Sequence, residues 1–195
     1  MASVAVLILP GINGSGPTHW QSLWQQALPD ARRVSQADWD HPVCADWVAS
    51  LRRTIDEVAG PAVLVAHSLG CLQVIHAAAE GGGSFARVVR GALLVAPPDP
   101  DAPSFPDIAV GFRPLPVRPL PFASVLVASR SDPYCRFEFS QRMAAAWGSE
   151  LVDLGSCGHI NAQSGLGAWP EGRARLDRLI DSIAATPGES KIPFG

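Results

Sequence analysis

Five short runs of Val, Leu, Ile and Ala, over residues 4–9, 62–66, 92–96, 124–128 and 151–154, constrain this chain more than any other feature. Their apolar character is continuous rather than alternating, which is the pattern of strands covered on both faces in a parallel sheet. A weaker strand falls at 32–35. Helical patterns separate the runs, at 18–28, 44–58, 69–79, 137–147 and 169–183. In the first of them Trp20, Leu23, Trp24, Ala27 and Leu28 recur at three- and four-residue spacing and share one face. Strands alternating with helices predict an α/β fold: a doubly wound, mostly parallel sheet of about six strands with helices on both faces.

A length of 195 residues fits one compact domain, expected over 1–186, with a frayed tail at 187–195. Segment 97–122 breaks the rhythm. It holds nine of the 18 prolines and cannot form a regular helix. A connection of that length in a compact domain is a candidate lid or binding loop beside a functional site. Within it, Arg113-Pro114-Leu115-Pro116-Val117-Arg118-Pro119 has the spacing of a polyproline ligand for an aromatic groove, or of a stiff loop leading into the next strand.

Charge and cysteine usage narrow the function classes. Net charge is −3, and the 14 arginines and single Lys191 form no basic block. Nucleic acid needs a concentrated cationic face to displace phosphate counterions, and a polybasic membrane anchor needs a similar cluster, so neither partner is expected. The apolar opening run has no positive charge before it, the first being Arg32, and is too short to span a bilayer. Cys44, Cys71, Cys135 and Cys157 are irregularly spaced without a Cys-x-x-Cys, which points away from zinc, redox pairs and a disulfide framework. The expectation is a cytoplasmic protein with reduced thiols, no metal and no cofactor.

The chemistry-bearing segment is Ala62-Val63-Leu64-Val65-Ala66-His67-Ser68-Leu69-Gly70-Cys71, a buried strand running into a helix with Ser68 at the corner. A nucleophile on such a strained turn needs small residues two before and two after it. Gly70 meets this, and Ala66 replaces the usual glycine at the cost of one methyl. Free N–H groups at the helix start favour developing negative charge. A serine there can equally be a plain helix N-cap, but the flanking strand and helix supply the context the nucleophile requires.

A serine needs a base and the base an orienting acid. Of five histidines, His67 adjoins the nucleophile on a tight turn and points elsewhere, His76 lies along the helix, and His41 precedes Pro42 in a loop. His159, in the glycine-flanked Gly155-Ser156-Cys157-Gly158-His159 after the last strand, is the candidate base. Asp132 ends the preceding strand in Ser129-Arg130-Ser131-Asp132-Pro133-Tyr134-Cys135 and is the candidate acid. That segment also reads as a simple Asp-Pro turn, and Asp99 with Asp101 form a backup pair. For an oxyanion hole, the loop Leu9-Pro10-Gly11-Ile12-Asn13-Gly14-Ser15-Gly16 offers the Ile12 N–H, to be joined by that of Leu69. Its glycine spacing is neither a dinucleotide fingerprint nor a P-loop. Cys71 and Cys157 are alternative nucleophiles, though neither stands on a strand-to-helix corner. Asn13, His19 and Trp20 are candidates to shape a substrate pocket, Trp20 being equally suited to the core.

Taken together, Leu9-Pro10-Gly11 with Thr18-His19-Trp20, Ala66-His67-Ser68-Leu69-Gly70, the Ser129 to Cys135 segment and Gly158-His159-Ile160-Asn161 resemble the small serine hydrolases related to retinoblastoma-binding protein 9. The resemblance implies a minimal α/β-hydrolase fold without a large cap and a Ser68, Asp132, His159 triad. Retinoblastoma binding is not implied, because Leu69-Gly70-Cys71-Leu72-Gln73 lacks the acidic end of a pocket-binding motif. The expected activity is hydrolysis of a small carboxylic ester or thioester, or an amide, through an acyl-enzyme on Ser68. The alternatives are a hydrolase fold that binds ligand without turnover and a polyproline interaction protein.

Overall fold

The computed structural model describes residues 4–185, so the tail expected at 187–195 lies outside the described residues. In chain order the elements are β1 (Ala5–Leu9), α1 (Trp20–Ala27), β2 (Ala31–Arg33), α2 (Cys44–Asp56), β3 (Ala62–His67), α3 (Leu69–Glu80), α4 (Gly83–Val88), β4 (Val89–Val95), β5 (Ala123–Ala128), α5 (Phe137–Trp147), β6 (Glu150–Asp153) and α6 (Pro170–Ala185). The six strands form one sheet in the order β2-β1-β3-β4-β5-β6, and every pairing is parallel.

Continuous apolar strands are explained by two cores. Along β1, Leu7 and Leu9 face the layer of α2, α3, α4 and α5, while Val6 and Ile8 face α1 and α6. The period-2 alternation of side chains thus feeds both layers from one unbroken run. Because all strands run the same way, the loops after β1, β3, β5 and β6 emerge at one edge. The order reverses between β1 and β3, which in open α/β sheets is where ligand crevices open.

Most differences from the sequence expectation have local causes. β4 begins at Val89 rather than 92, since Arg90 and Gly91 interrupt the apolar run. Gly91 is required there: a Cβ would lie 2.8 Å from Ile183 Cδ1 and 3.2 Å from the Ala123 carbonyl oxygen. α4 lies outside the sequence expectation, because its six residues, the first of which is the last of Gly81, Gly82 and Gly83, carry no readable period. α6 starts at Pro170 after Trp169, which has φ 46°, with proline at the first helical position where its missing N–H costs nothing.

Segment 97–122 has no helix or strand of its own, apart from one bridge between Val110 and Val43. Its polyproline-like stretch is fastened to the fold. The Pro116 carbonyl accepts the Trp147 indole N–H at 3.1 Å, the Leu120 N–H donates to the Trp147 carbonyl, and Arg118 donates to the Ala79 carbonyl. Among the described residues no helix is long and apolar enough to cross a membrane.

Candidate active site

Ser68 sits between β3 and α3 with φ 54° and ψ −127°, a conformation that a residue with a side chain adopts only under constraint. Its N–H donates to the Val95 carbonyl at 2.9 Å, and its carbonyl accepts from the Cys71 N–H at 2.9 Å. Gly70 lets the helix start hard against β1: a Cβ there would meet the Leu9 carbonyl oxygen at 2.3 Å and the Pro10 oxygen at 2.8 Å. The methyl of Ala66, which replaces the usual glycine, is absorbed in the core between β3 and its covering helices. The corner therefore tolerates alanine before the serine but not after it.

From the far end of the sheet, His159 reaches back to Ser68. Its Nε2 stands 2.8 Å from the Ser68 hydroxyl oxygen, and its Nδ1 stands 2.9 Å from both oxygens of Asp132. The side chains of His159 and Asp132 are 9% and 2% exposed, so these bonds lie in a low-dielectric setting that strengthens them. Since the carboxylate can only accept, Nδ1 carries the ring proton and Nε2 is left to accept from Ser68. Asp132 also makes the turn its sequence resembles, with Oδ1 accepting the Tyr134 N–H at 2.9 Å. Tyr134 packs edge-on to the His159 ring at 4.6 Å. The backup acids are occupied elsewhere: Asp99 accepts the Asp101 N–H, and Asp101 pairs with Arg113 at 3.8 Å. His41 is exposed beside Asp38, and His76 contacts the Phe112 carbonyl.

The loop bearing His159 is stitched to the loop bearing Asp132 by two hydroxyls that sequence reasoning passed over. Ser129 Oγ accepts the Cys157 N–H at 2.9 Å, and Ser131 Oγ accepts the Gly158 N–H at 3.0 Å. Arg130 adds a backbone bond to the Gly155 carbonyl at 2.8 Å. The available signal was the placement of two serines within three residues of the acid, in the loop directly after a strand.

Opposite His159, the loop after β1 faces Ser68. A Cβ on Gly11 would lie 2.8 Å from Ser68 Cβ, 3.1 Å from its Oγ and 3.2 Å from the Leu69 nitrogen. Glycine thus keeps open the space in front of the Leu69 N–H. Among the described residues neither the Ile12 nor the Leu69 N–H has a backbone acceptor, whereas the Asn13 N–H donates to the Trp39 carbonyl at 3.3 Å. Asn13 itself is exposed, with φ 65°. Arg33 steadies this loop by donating to the Gly14 and Ser15 carbonyls.

His19 and Trp20, candidates for pocket walls in the sequence, are instead buried behind the His159 loop. Trp20 is 1% exposed and donates its indole N–H to the Ile160 carbonyl at 2.8 Å. It meets Trp24 and Trp169 edge-on at 4.7 and 5.2 Å. Helical periodicity puts Trp20 on the core-facing side of α1, the other of the two readings its sequence allows. His19 caps α1, its Nδ1 accepting the Gln21 N–H at 3.1 Å.

Burial, with Arg33 and His159 nearby, lowers the pKa of His19 from 6.5 to about 4. The unfolded chain then binds a proton below pH 6.5 that the native one refuses until about pH 4. Stability is therefore lost as pH falls through that window, by about 3 kcal/mol or on the order of 5–10 °C in Tm. His19→Asn keeps a capping acceptor and removes the titration, so its Tm should fall less than that of the wild type between pH 7 and 4. Parallel pH–Tm curves for the two proteins would remove His19 as a cause.

Of the two rival thiols, Cys71 is poorly suited to attack. Cys71 is fully buried, its Sγ–H directed at the Val95 carbonyl, and burial pushes its pKa up. Burial likewise pushes Cys44 up to about 12 and Cys135 up to about 11. Neutral thiols are weak nucleophiles at ordinary pH. Among the described residues no group of three or more His, Cys, Asp or Glu side chains is placed to hold a metal ion.

The profile of the serine hydrolase family matches residues 6–178. Among solved structures, a protein of Pectobacterium atrosepticum described as a YdeN-like hydrolase is 33% identical, with a TM-score of 0.81 and 92% of each chain covered. The ydeN gene product of B. subtilis is 20% identical, with a TM-score of 0.76 over 92% of this chain and 100% of that one. Est1E of Butyrivibrio proteoclasticus, solved with ferulic acid bound, is 12% identical, with a TM-score of 0.65 over 93% of this chain and 88% of that one. At those lower identities the likeness is one of fold. No curated protein sequence matches significantly. The six-stranded parallel sheet, the strained serine corner and a family profile spanning most of the chain have one common meaning: this chain belongs to the serine hydrolase family.

Proposed function

We propose that this chain cleaves small carboxylic esters or thioesters, and by the same chemistry amides, through an acyl-enzyme on Ser68. The observation that carries the reading is the unbroken line from Asp132 through His159 to Ser68, with 2.9 and 2.8 Å between donors and acceptors. In the proposed reaction His159 Nε2 removes the Ser68 proton as Oγ attacks the substrate carbonyl carbon. The Ile12 and Leu69 N–H groups receive the oxyanion, supported by the positive end of α3. Asp132 holds the Nδ1–H tautomer and stabilises the imidazolium. The imidazolium then protonates the leaving group. A water, activated by the same nitrogen, releases the acid and restores Ser68.

No metal or cofactor is called on at any step. Residues 1–186 act in this reading as one hydrolase domain, with segment 97–122 bordering the site. Its start supports this reading: the Asp99 N–H donates to the Tyr134 carbonyl at 3.1 Å, next to the ring that packs on His159. Four ordered motifs support kinship with the small hydrolases related to retinoblastoma-binding protein 9, and the chemistry is carried over without the retinoblastoma partner.

The test is intact-mass spectrometry after exposure to a fluorophosphonate. Wild type should gain one adduct, mapped to Ser68, that Ser68→Ala never forms and His159→Ala forms far more slowly. A folded wild type that gains none, or gains it equally in Ser68→Ala, would overturn the reading in favour of a ligand-binding hydrolase fold.

A further inference from the structure

We propose that His67 is a positioning residue for His159, setting through an Nε2–H donated to the His159 carbonyl where the base stands between Ser68 and Asp132. The proposal rests on the reading of His159 as the base.

His67 Nε2 lies 2.9 Å from the His159 carbonyl oxygen. A carbonyl only accepts, so Nε2 carries the hydrogen. His67 is the last residue of β3, a strand buried along its whole length and paired on both sides, and Ser68 follows it directly. Two consecutive residues thus grip His159 at two points: Ser68 meets the imidazole, and His67 meets the backbone of the same residue. The nucleophile-to-base distance becomes a property of one rigid corner rather than of a long loop.

The ring of His67 has no room to turn away. It is 4.7 Å from His19 edge-on, 6.0 Å from Trp20 edge-on and 5.0 Å from His159. Burial drives its pKa well below the ordinary value, with His159 and His19 adding to the effect, so it stays uncharged beside a base that must itself take up a proton. The other anchors described for this loop hold Gly155, Cys157, Gly158 and Ile160. Among the described residues, His67 is the side chain that holds the backbone of residue 159 itself.

The experiment compares the full chain as wild type, His67→Leu and His67→Gln on p-nitrophenyl acetate. Leucine fills comparable volume without a donor, whereas the glutamine amide can reach the position of Nε2. His67→Leu should lose about 10- to 100-fold in kcat with KM nearly unchanged, since a misplaced base costs rate rather than binding. His67→Gln should recover most of the loss. The low-field proton signal of the His159 Nδ1–H bonded to Asp132 should broaden or shift in His67→Leu and return in His67→Gln. If His67→Leu does not fold, His67→Asn, whose amide stops short of the carbonyl, takes its place.

Equal kcat in wild type and the donor-less variant, or equal loss in that variant and His67→Gln, would overturn the proposal while Ser68 still takes up fluorophosphonate. If wild type forms no Ser68 adduct, the reading of the site falls and the proposal falls with it.

Discussion

Ser68→Ala is expected to lower kcat on an ester substrate about a million-fold, as loss of the nucleophile does in other serine–histidine–acid sites. The remaining rate should stay above that of water, because the Ile12 and Leu69 N–H groups are left in place. Folding should be spared. The Ser68 side chain makes no capping bond to α3, and alanine bears the φ of 54° no worse than serine does. Steady-state kinetics with a melting curve check this, and a loss smaller than about 100-fold would remove Ser68 as the nucleophile. The melting curve separates lost chemistry from lost structure.

Asp132→Asn should cost about 10⁴-fold in kcat by presenting the base in the wrong tautomer. The surrounding bonds determine how the introduced amide lies. Oδ1 must still accept the Tyr134 N–H, so the NH₂ takes the place of Oδ2 and points at His159 Nδ1. A donor facing Nδ1 competes with the remaining Oδ1 acceptor and favours the ring proton on Nε2, which then can no longer accept from the Ser68 hydroxyl. Asp99→Asn and Asp101→Asn should stay within about three-fold of wild type, since neither carboxylate lies in that line. A large loss in Asp99→Asn with a small one in Asp132→Asn would reverse the assignment.

Residues placed by local signals were legible in the sequence. Ser68 announced itself through a continuous apolar strand, a glycine two residues on and a helix directly after, all within one short stretch of chain. Asp132 and His159 were readable because each directly follows a strand, and parallel strands deliver such loops to one edge. The anchoring side chains were not legible in this way. Ser129 and Ser131 look like ordinary turn residues until the neighbouring loop presents its N–H groups to them. His67 could be told to point away from Ser68, but its partner is a backbone carbonyl 92 residues along the chain. Trp20 was open to two readings, pocket wall and core, and the pattern on its own helix, which sends it inward, favours the second.

The sheet order has a consequence for how the protein matures. Ser68 and His159 are 91 residues apart in sequence, and β4 and β5 lie between their strands. Contacts this non-local cannot form before the intervening chain is closed, and the entropy of closing it delays them. β6 has one neighbour in the sheet, and it must dock on β5 before His159 can approach Ser68. The contact between Ser68 and His159 is therefore expected to form late, and recovery of turnover on refolding should report docking of the outermost strand rather than collapse of either core.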